Sequence, residues 1–338
     1  MFRTLGVVIT AVVFGAAIAS AEAPVRVNVE NFARAESDTY FRAQMKAFGV
    51  GVGELNHERE PITPKNQSVI RSNQDTLYSG ILLDLSKPVK FTLPDAGGRF
   101  MSMHVVSQDH YMFVETKPGT YELTEKMVGT RFALVIIRTF ANPRDPADVK
   151  KAHAAQDGIV IKGGGKGPFK APNWDQESLK TIRDALSNIA ELGFNATYAF
   201  GRKEEIKPVD HLIGAAAGWG GQPRSAAMYV LDSVSSNDGE TPYAVTAKDV
   251  PVDAFWSITI YNEKGLLEAN DLGVNSYNNY TAKPNKDGSF TIHFGGCQDN
   301  RINCIPITKG WNYAVRMYAP REEIQKGSWT FPEFKPVK

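Results

Sequence analysis

The side chains best suited to chemistry fall in three short stretches. The first is Arg71–Ser79, which holds Asn73, Asp75 and Tyr78. Asp75 would act there as an acid, a base or a ligand, with Asn73 and Tyr78 orienting a substrate. The alternative is that Asp75 caps a turn and Tyr78 packs. The second stretch holds His104, Asp109 and His110. Positions 104 and 110 are an even number apart, so in one strand both imidazoles share a face. Two imidazoles beside a carboxylate are a common start to a zinc or iron site. The spacing is too loose to name a metal, and His104 packing while Asp109 and His110 cap a turn explains the same residues. The third feature is a pair of arginines, Arg138 and Arg316, each inside an otherwise apolar run. A charge there is costly unless paired. Each has either a buried partner such as Asp75 or Asp253, or a guanidinium fork offered to a carboxylate or sulfate.

The C-terminal half is crowded with rings and amides: Trp219, Trp256, Tyr261, Asn275, Tyr277, Asn278, Asn279 and Tyr280. Such faces suit sugars and other flat polar ligands, although Trp256 and Tyr261 serve equally as core. Asp210–His211 offers a further Asp–His pair near a helix start. The chain lacks G-x-S-x-G, H-E-x-x-H and the EF-hand pattern. Gly163–Gly167 resembles a phosphate loop only superficially, because no Ser or Thr follows Lys166 and Pro168 comes next; it reads as a flexible break. No cofactor is expected.

These residues sit on elements that the hydrophobic pattern outlines. Residues 28–48 read as a helix with Phe41, Met45 and Phe48 on one face. Residues 49–68 read as a loop. From 69 to 139 short apolar runs alternate with turn signals, the pattern of a sandwich. Residues 145–216 turn helical. Asp145 and Pro146 open one helix, and Leu179, Ile182, Leu186, Ile189 and Leu192 stripe another, which reads as core packing. Strands return from 227. Asp287–Gly288 marks a hairpin turn, and Tyr313, Val315 and Met317 share a face of the strand after Trp311.

The first residues read as a cleavable secretory leader over 1–21. Arg3 is the charge, Leu5–Ile18 the apolar run and Ala19–Ala21 the cleavage site. The apolar run falls short of the ~20 residues that span a bilayer. No stable membrane insertion is expected. Without Arg3, the 38 Lys and Arg fall to match the 37 Asp and Glu. A neutral, mixed surface argues against nucleic acid as a partner. Export to the periplasm or beyond also makes Cys297 and Cys304 an expected disulfide.

Several strings together resemble a known family. They are Arg71-Ser-Asn-Gln-Asp-Thr-Leu-Tyr-Ser79, the run Arg138–Asp148 followed by Gln156-Asp157, Ala217-Gly-Trp-Gly-Gly221, Asp249–Asn262, Gly310–Arg321 and Trp329-Thr-Phe-Pro332. In this order they are similar to the paired domains of unknown function numbered 1254 and 1214. The resemblance covers nearly the whole chain after the leader. It implies a mainly β protein: an immunoglobulin-like β-sandwich, a small helical insert, then a jelly-roll-like β domain. It supplies no established activity, cofactor or catalytic residue. The expected units are 22–140, 141–220 and 221–338.

Three functions fit this sequence. One is a hydrolase or lyase on a small polar or glycan-like molecule in an interdomain cleft, using Asp75, Asp109, His110 and Tyr261. Another is a non-catalytic binder of carbohydrate or an envelope component through Trp219, Trp256 and Tyr277. The last is a structural envelope protein. The oligomeric state stays open.

Overall fold

In the computed structural model, residues 23–67 and 69–337 are described. The expected leader lies outside them. The first half runs α1 (Phe32–Phe48), β1 (Asn56–His57), β2 (Thr76–Asp84), β3 (Val89–Leu93), β4 (Met101–Ser107), β5 (Met112–Glu115), β6 (Gly119–Leu123), α2 (Glu125–Val128) and β7 (Phe132–Phe140). Next come α3 (Pro146–Asp157), β8 (Val160–Gly163), α4 (Gln176–Glu191) and α5 (Pro208–Ala217). The second half is β9 (Ala227–Asp232), β10 (Tyr243–Ala247), β11 (Trp256–Tyr261), β12 (Ser276–Asn278), β13 (Phe290–Phe294), β14 (Cys304–Ile305), β15 (Asn312–Tyr318), α6 (Glu322–Gln325) and β16 (Lys335–Pro336). Among the described residues, no helix is long and apolar enough to cross a membrane.

The protein is mainly β and is built as two pairs of sheets. In the first pair, the sheet β1-β2-β7-β4-β5 faces the sheet β6-β3-β8. Ile81, Met103, Val135 and Ile137 meet Val89, Phe91 and Leu123 in one core. In the second pair, β12-β11-β15-β9 faces β14-β13-β10-β16. Trp256, Ile258 and Val315 meet Tyr243, Ile292 and Phe294 there. Tyr313, Val315 and Met317 share this core, as their alternation requires. Cys297 and Cys304 form the expected disulfide beside β14.

Two local expectations need correction. The apolar stripe of α4 is core only in part: Leu179 and Leu186 are buried, but Ile189 is 47% and Leu192 90% exposed. The first two pack with Ile213 of α5 and Phe32 of α1; in the last turn Ala190 still reaches that cluster, but Ile189 does not. The glycines at 163–167 are not a flexible break. The Gly164 amide donates to the Pro88 carbonyl and the Gly165 amide to the Asp84 carbonyl. A Cβ on Gly163 would stand 2.4 Å from the Pro88 oxygen, with φ already at +93°. One on Gly165 would stand 2.3 Å from Asp84 Oδ2. Only glycine lets the chain approach this closely.

The face of each five- or four-stranded sheet that points away from its own core carries the site. On the first sheet this face presents Phe140, Arg138 and Ile136 of β7, with Tyr78 and Ser102 in register with Arg138. On the second it presents Tyr318 and Arg316 of β15, with Ser257 and Tyr229 in register with Arg316. The two faces meet through an aromatic cluster in which Phe140 and Phe100 pack on Phe255, Tyr318 and Ala227.

The close approach at 163 gives a direct check. Gly163→Ala should lower stability by ~1–3 kcal/mol or more, the usual cost of forced overpacking, read as a fall in thermal midpoint. Unchanged melting would contradict the packing described.

Candidate functional site

Arg316 is 5% exposed and makes no ion pair among the described residues. Neutral oxygens satisfy it instead. Nη2 donates to the Tyr261 hydroxyl (2.6 Å) and the Arg71 carbonyl (2.8 Å), and Nη1 donates to Thr259 Oγ1 (3.0 Å). Arg71 holds a left-handed φ of 51°. Burial works against the guanidinium charge, but Tyr261, Tyr318 and Asp75 more than offset it, so Arg316 stays protonated.

Arg138 stands on the opposite sheet, half-buried, and also lacks a carboxylate. Nη1 lies 3.3 Å from His104 Nδ1, and the guanidinium sits 5.6 Å from the Tyr78 ring centre. With its amide oxygen turned inward, Gln222 accepts from Nε (3.0 Å) and Nη1 (3.3 Å). The choice between a buried carboxylate partner and an offered fork is thus narrowed. Asp253 pairs with Arg321 (2.7 Å) instead.

Asn73 ties the two sheets together. Its Nδ2 lies within hydrogen-bond distance of Thr76 Oγ1 (3.1 Å), the Tyr78 hydroxyl (3.3 Å) and the Tyr318 hydroxyl (3.0 Å), three oxygens that share its two protons. A phenol oxygen that accepts from Asn73 keeps its own O–H proton free to donate. The Tyr229 hydroxyl makes no hydrogen bond within the described residues. Asp75 is 1% exposed. Its Oδ1 accepts from Asn278 Nδ2 (3.0 Å) and Ser276 Oγ (3.3 Å), while Oδ2 has no partner. Ser102 Oγ and Ser257 Oγ, beside Arg138 and Arg316, are also buried and unpartnered. An unmade buried hydrogen bond costs ~1–3 kcal/mol each, so this layer is rich in unspent polar capacity.

The phenols respond to this setting. Burial pushes Tyr318 well above its ordinary pKa, and Tyr261 upward as well, against the pull of Arg316. Both remain neutral at physiological pH.

Of the second stretch read from the sequence, His104 touches this network through Arg138, while Asp109 and His110 lie apart from it. β4 ends at Ser107, and residues 108–111 turn with His110 at φ 63°, so positions 104 and 110 do not share one strand. His110 Nε2 accepts from the Gly220 amide (2.9 Å), and its ring lies against His211 and Trp219. Asp109 pairs with Arg34 (2.6 Å). His104 Nε2 faces Met112 Sδ (3.3 Å), and burial keeps this imidazole neutral. Among the described residues, no three His, Cys, Asp or Glu side chains gather as metal ligands. His211 turns its two nitrogens to the Ala199 and Asp109 carbonyls, and Asp210 accepts from the Asn195 amide. No contact joins Asp109 or His110 to Asp75 or Tyr261.

The aromatic platform is also dispersed. Trp256 is core, against Phe290 and Phe331. Tyr277 lies under Arg144, and Trp219 stacks on Tyr40 at 4.3 Å. Tyr229, Tyr318, Thr259 and Gln222 were missed at the sequence level. Tyr318 was within reach, because it lies two residues beyond Arg316 on the face opposite Val315. A separate hollow of about 650 Å³ opens between the 94–100 loop, α3 and Tyr280. Arg99 and Asp148 on its wall are already paired with each other.

Comparison with known proteins fits this layout. Residues 52–163 match the family described as Protein of unknown function (DUF1254), and residues 226–322 match Protein of unknown function (DUF1214). The chain belongs to the paired DUF1254/DUF1214 proteins. No curated protein matches it. The VPA0106 protein from Vibrio parahaemolyticus is 20% identical, over 92% of this chain and 98% of its own, with a TM-score of 0.71. That likeness speaks to fold alone. An uncharacterized protein from Burkholderia cenocepacia is 14% identical over 91% of this chain and 88% of its own, with a TM-score of 0.49. In this DUF1254/DUF1214 chain, both matched regions supply the polar layer between the sheets: Asn73, Tyr78 and Arg138 from the first, Tyr229, Tyr261, Arg316 and Tyr318 from the second.

The raised phenols predict an alkaline response. A folded-state value above the ordinary 10.0 adds stability that is complete below pH 10 and is lost as pH climbs through the raised value. Tyrosinate absorbance should therefore appear in part only as the fold is lost at high pH. Full ionisation of all 12 tyrosines near pH 10 with circular dichroism unchanged would contradict this.

Proposed function

We propose that this protein is an exported binding protein, periplasmic or secreted, that takes a small carboxylate-bearing molecule into the cleft between its two facing sheets. One observation carries the reading: Arg138 and Arg316 face the same cleft and neither has a carboxylate partner. Guanidinium forks match carboxylate oxygens in geometry as well as charge. Tyr78, Tyr229 and Tyr318 supply further O–H donors around them. Arg138 is the more accessible of the two and makes first contact; Arg316 holds the positive field from below. Units 22–140 and 221–338 each give one wall, with 141–220 linking them.

A second reading is catalytic. The unpartnered Oδ2 of Asp75, close to Tyr261 and Tyr318, favours it. Asp75 would act as the acid or base of a hydrolase or lyase, without Asp109 or His110. Binding is preferred because Asp75 is closed off from solvent.

Calorimetric titration with acetate, succinate and sulfate tests the proposal. At least one anion should bind, and Arg138→Ala should weaken it roughly 10- to 100-fold, the worth of a charged hydrogen-bonded contact. Tyr229→Phe should cost less. Equal affinity in wild type and Arg138→Ala, or no binding at all, would count against the cleft.

A further inference from the structure

We infer that the molecule held in this cleft carries an apolar, ring-sized body behind its carboxylate. The inference rests on the anion-binding reading above and adds the ligand class to it.

Exposure is graded along β9, which supplies one wall. Along its cleft face, exposure rises from 2% at Ala227 to 42% at Tyr229 and 55% at Leu231. On the facing β7, Phe140 is buried while Arg138 and Ile136 are half-buried. The sheets touch at the aromatic cluster, and exposure on β9 grows away from it. The rungs therefore come in a fixed order: aromatic contact first, then the arginines and phenols, then Ile136 and Leu231. Residues two apart on a strand share a face, so Ile136 and Leu231 lie on the open side of Arg138 and Tyr229. Gly80, in register with Ile136, adds no side chain to this rung, and Phe48 of α1 stands over it, 4.0 Å from where a Cβ would lie. Ile136 also packs in the cluster that contains Trp219, whose ring is stacked on the partly exposed Tyr40.

An anion seated on Arg138 thus has charge and donors on its inner side and apolar walls on its outer side. A single exposed leucine on a surface means little. Here Ile136 and Leu231 form the next rung beyond Arg138 and Tyr229, on the side away from the aromatic contact. A compact ion such as acetate leaves those walls in water. A carboxylate carrying a ring covers them and gains affinity with the apolar area removed from water.

Titration with acetate, benzoate and the uncharged benzamide separates the possibilities. Benzoate should bind about tenfold or more tighter than acetate, and benzamide should bind far more weakly than benzoate. Leu231→Ser, at an exposed site that leaves folding intact, should narrow the gap between benzoate and acetate while leaving acetate unchanged. Arg138→Ala should weaken both acids. If acetate and benzoate bind equally, the apolar body is refuted while the anion site stands. If neither binds, the anion reading falls and the inference with it. If benzamide binds as well as benzoate, the arginines are not the anchor and the inference is overturned.

Discussion

A guanidinium buried between two sheets without a carboxylate sets the terms for this structure. Taking the Arg316 charge out of water is expensive unless its protons find acceptors. Tyr261, Thr259 and the Arg71 carbonyl meet that requirement. Each of these is thereby fixed. Arg71 adopts a left-handed backbone that directs its carbonyl inward. The segment that follows is held to the second sandwich, where the Ser72 carbonyl accepts from Tyr261 (2.8 Å) and Asn73 reaches Tyr318. Neutral oxygens take its protons, and no carboxylate touches the guanidinium, although buried Asp75 acts on it through space.

Two other buried charges are handled differently, although buried Asp38 is held by Gln108 and Trp174 without an ion pair. Glu36 and Asp84 are closed off from solvent, and each takes an arginine in a two-pronged pair, Arg183 and Arg131 respectively. The Arg131 hydrogen bonds hold Asp84 far below the ordinary carboxylate range. Arg99 likewise takes Asp148. This chain has the means to pair a buried ion with its opposite and uses them in its framework. The cleft departs from that practice at Arg138, Arg316 and Asp75 together. Departures of this kind are expected where a fold serves a ligand rather than its own stability.

Much of the framework was legible in the sequence. The order β, α, β, the disulfide and the inward face of β15 all follow from periodicity and compartment. Once Val315 and Met317 point inward, Arg316 and Tyr318 must point outward, so half of the cleft floor lay within reach. What stayed hidden was non-local or depended on backbone turns. Tyr229 meets Arg138 only because two sheets from distant parts of the chain face each other, and no spacing reports that. His104 and His110 share parity but not a strand, because the chain turns at residues 108–111. The glycines at 163–165 looked loose, yet their role is close contact with Asp84 and Pro88. The end of the α4 stripe misled for a related reason: periodicity marks an apolar face but not how far its partner extends.

The central claim is that a carboxylate sits between the two sheets on Arg138. Diffraction from crystals soaked in para-bromobenzoate tests it most directly, because bromine scatters anomalously. The account predicts the carboxylate within hydrogen-bond distance of Arg138 and the Tyr229 hydroxyl, with the bromine on the side of Ile136 and Leu231. Bromine located elsewhere, with Arg138 closed onto a carboxylate of the protein itself, would contradict it.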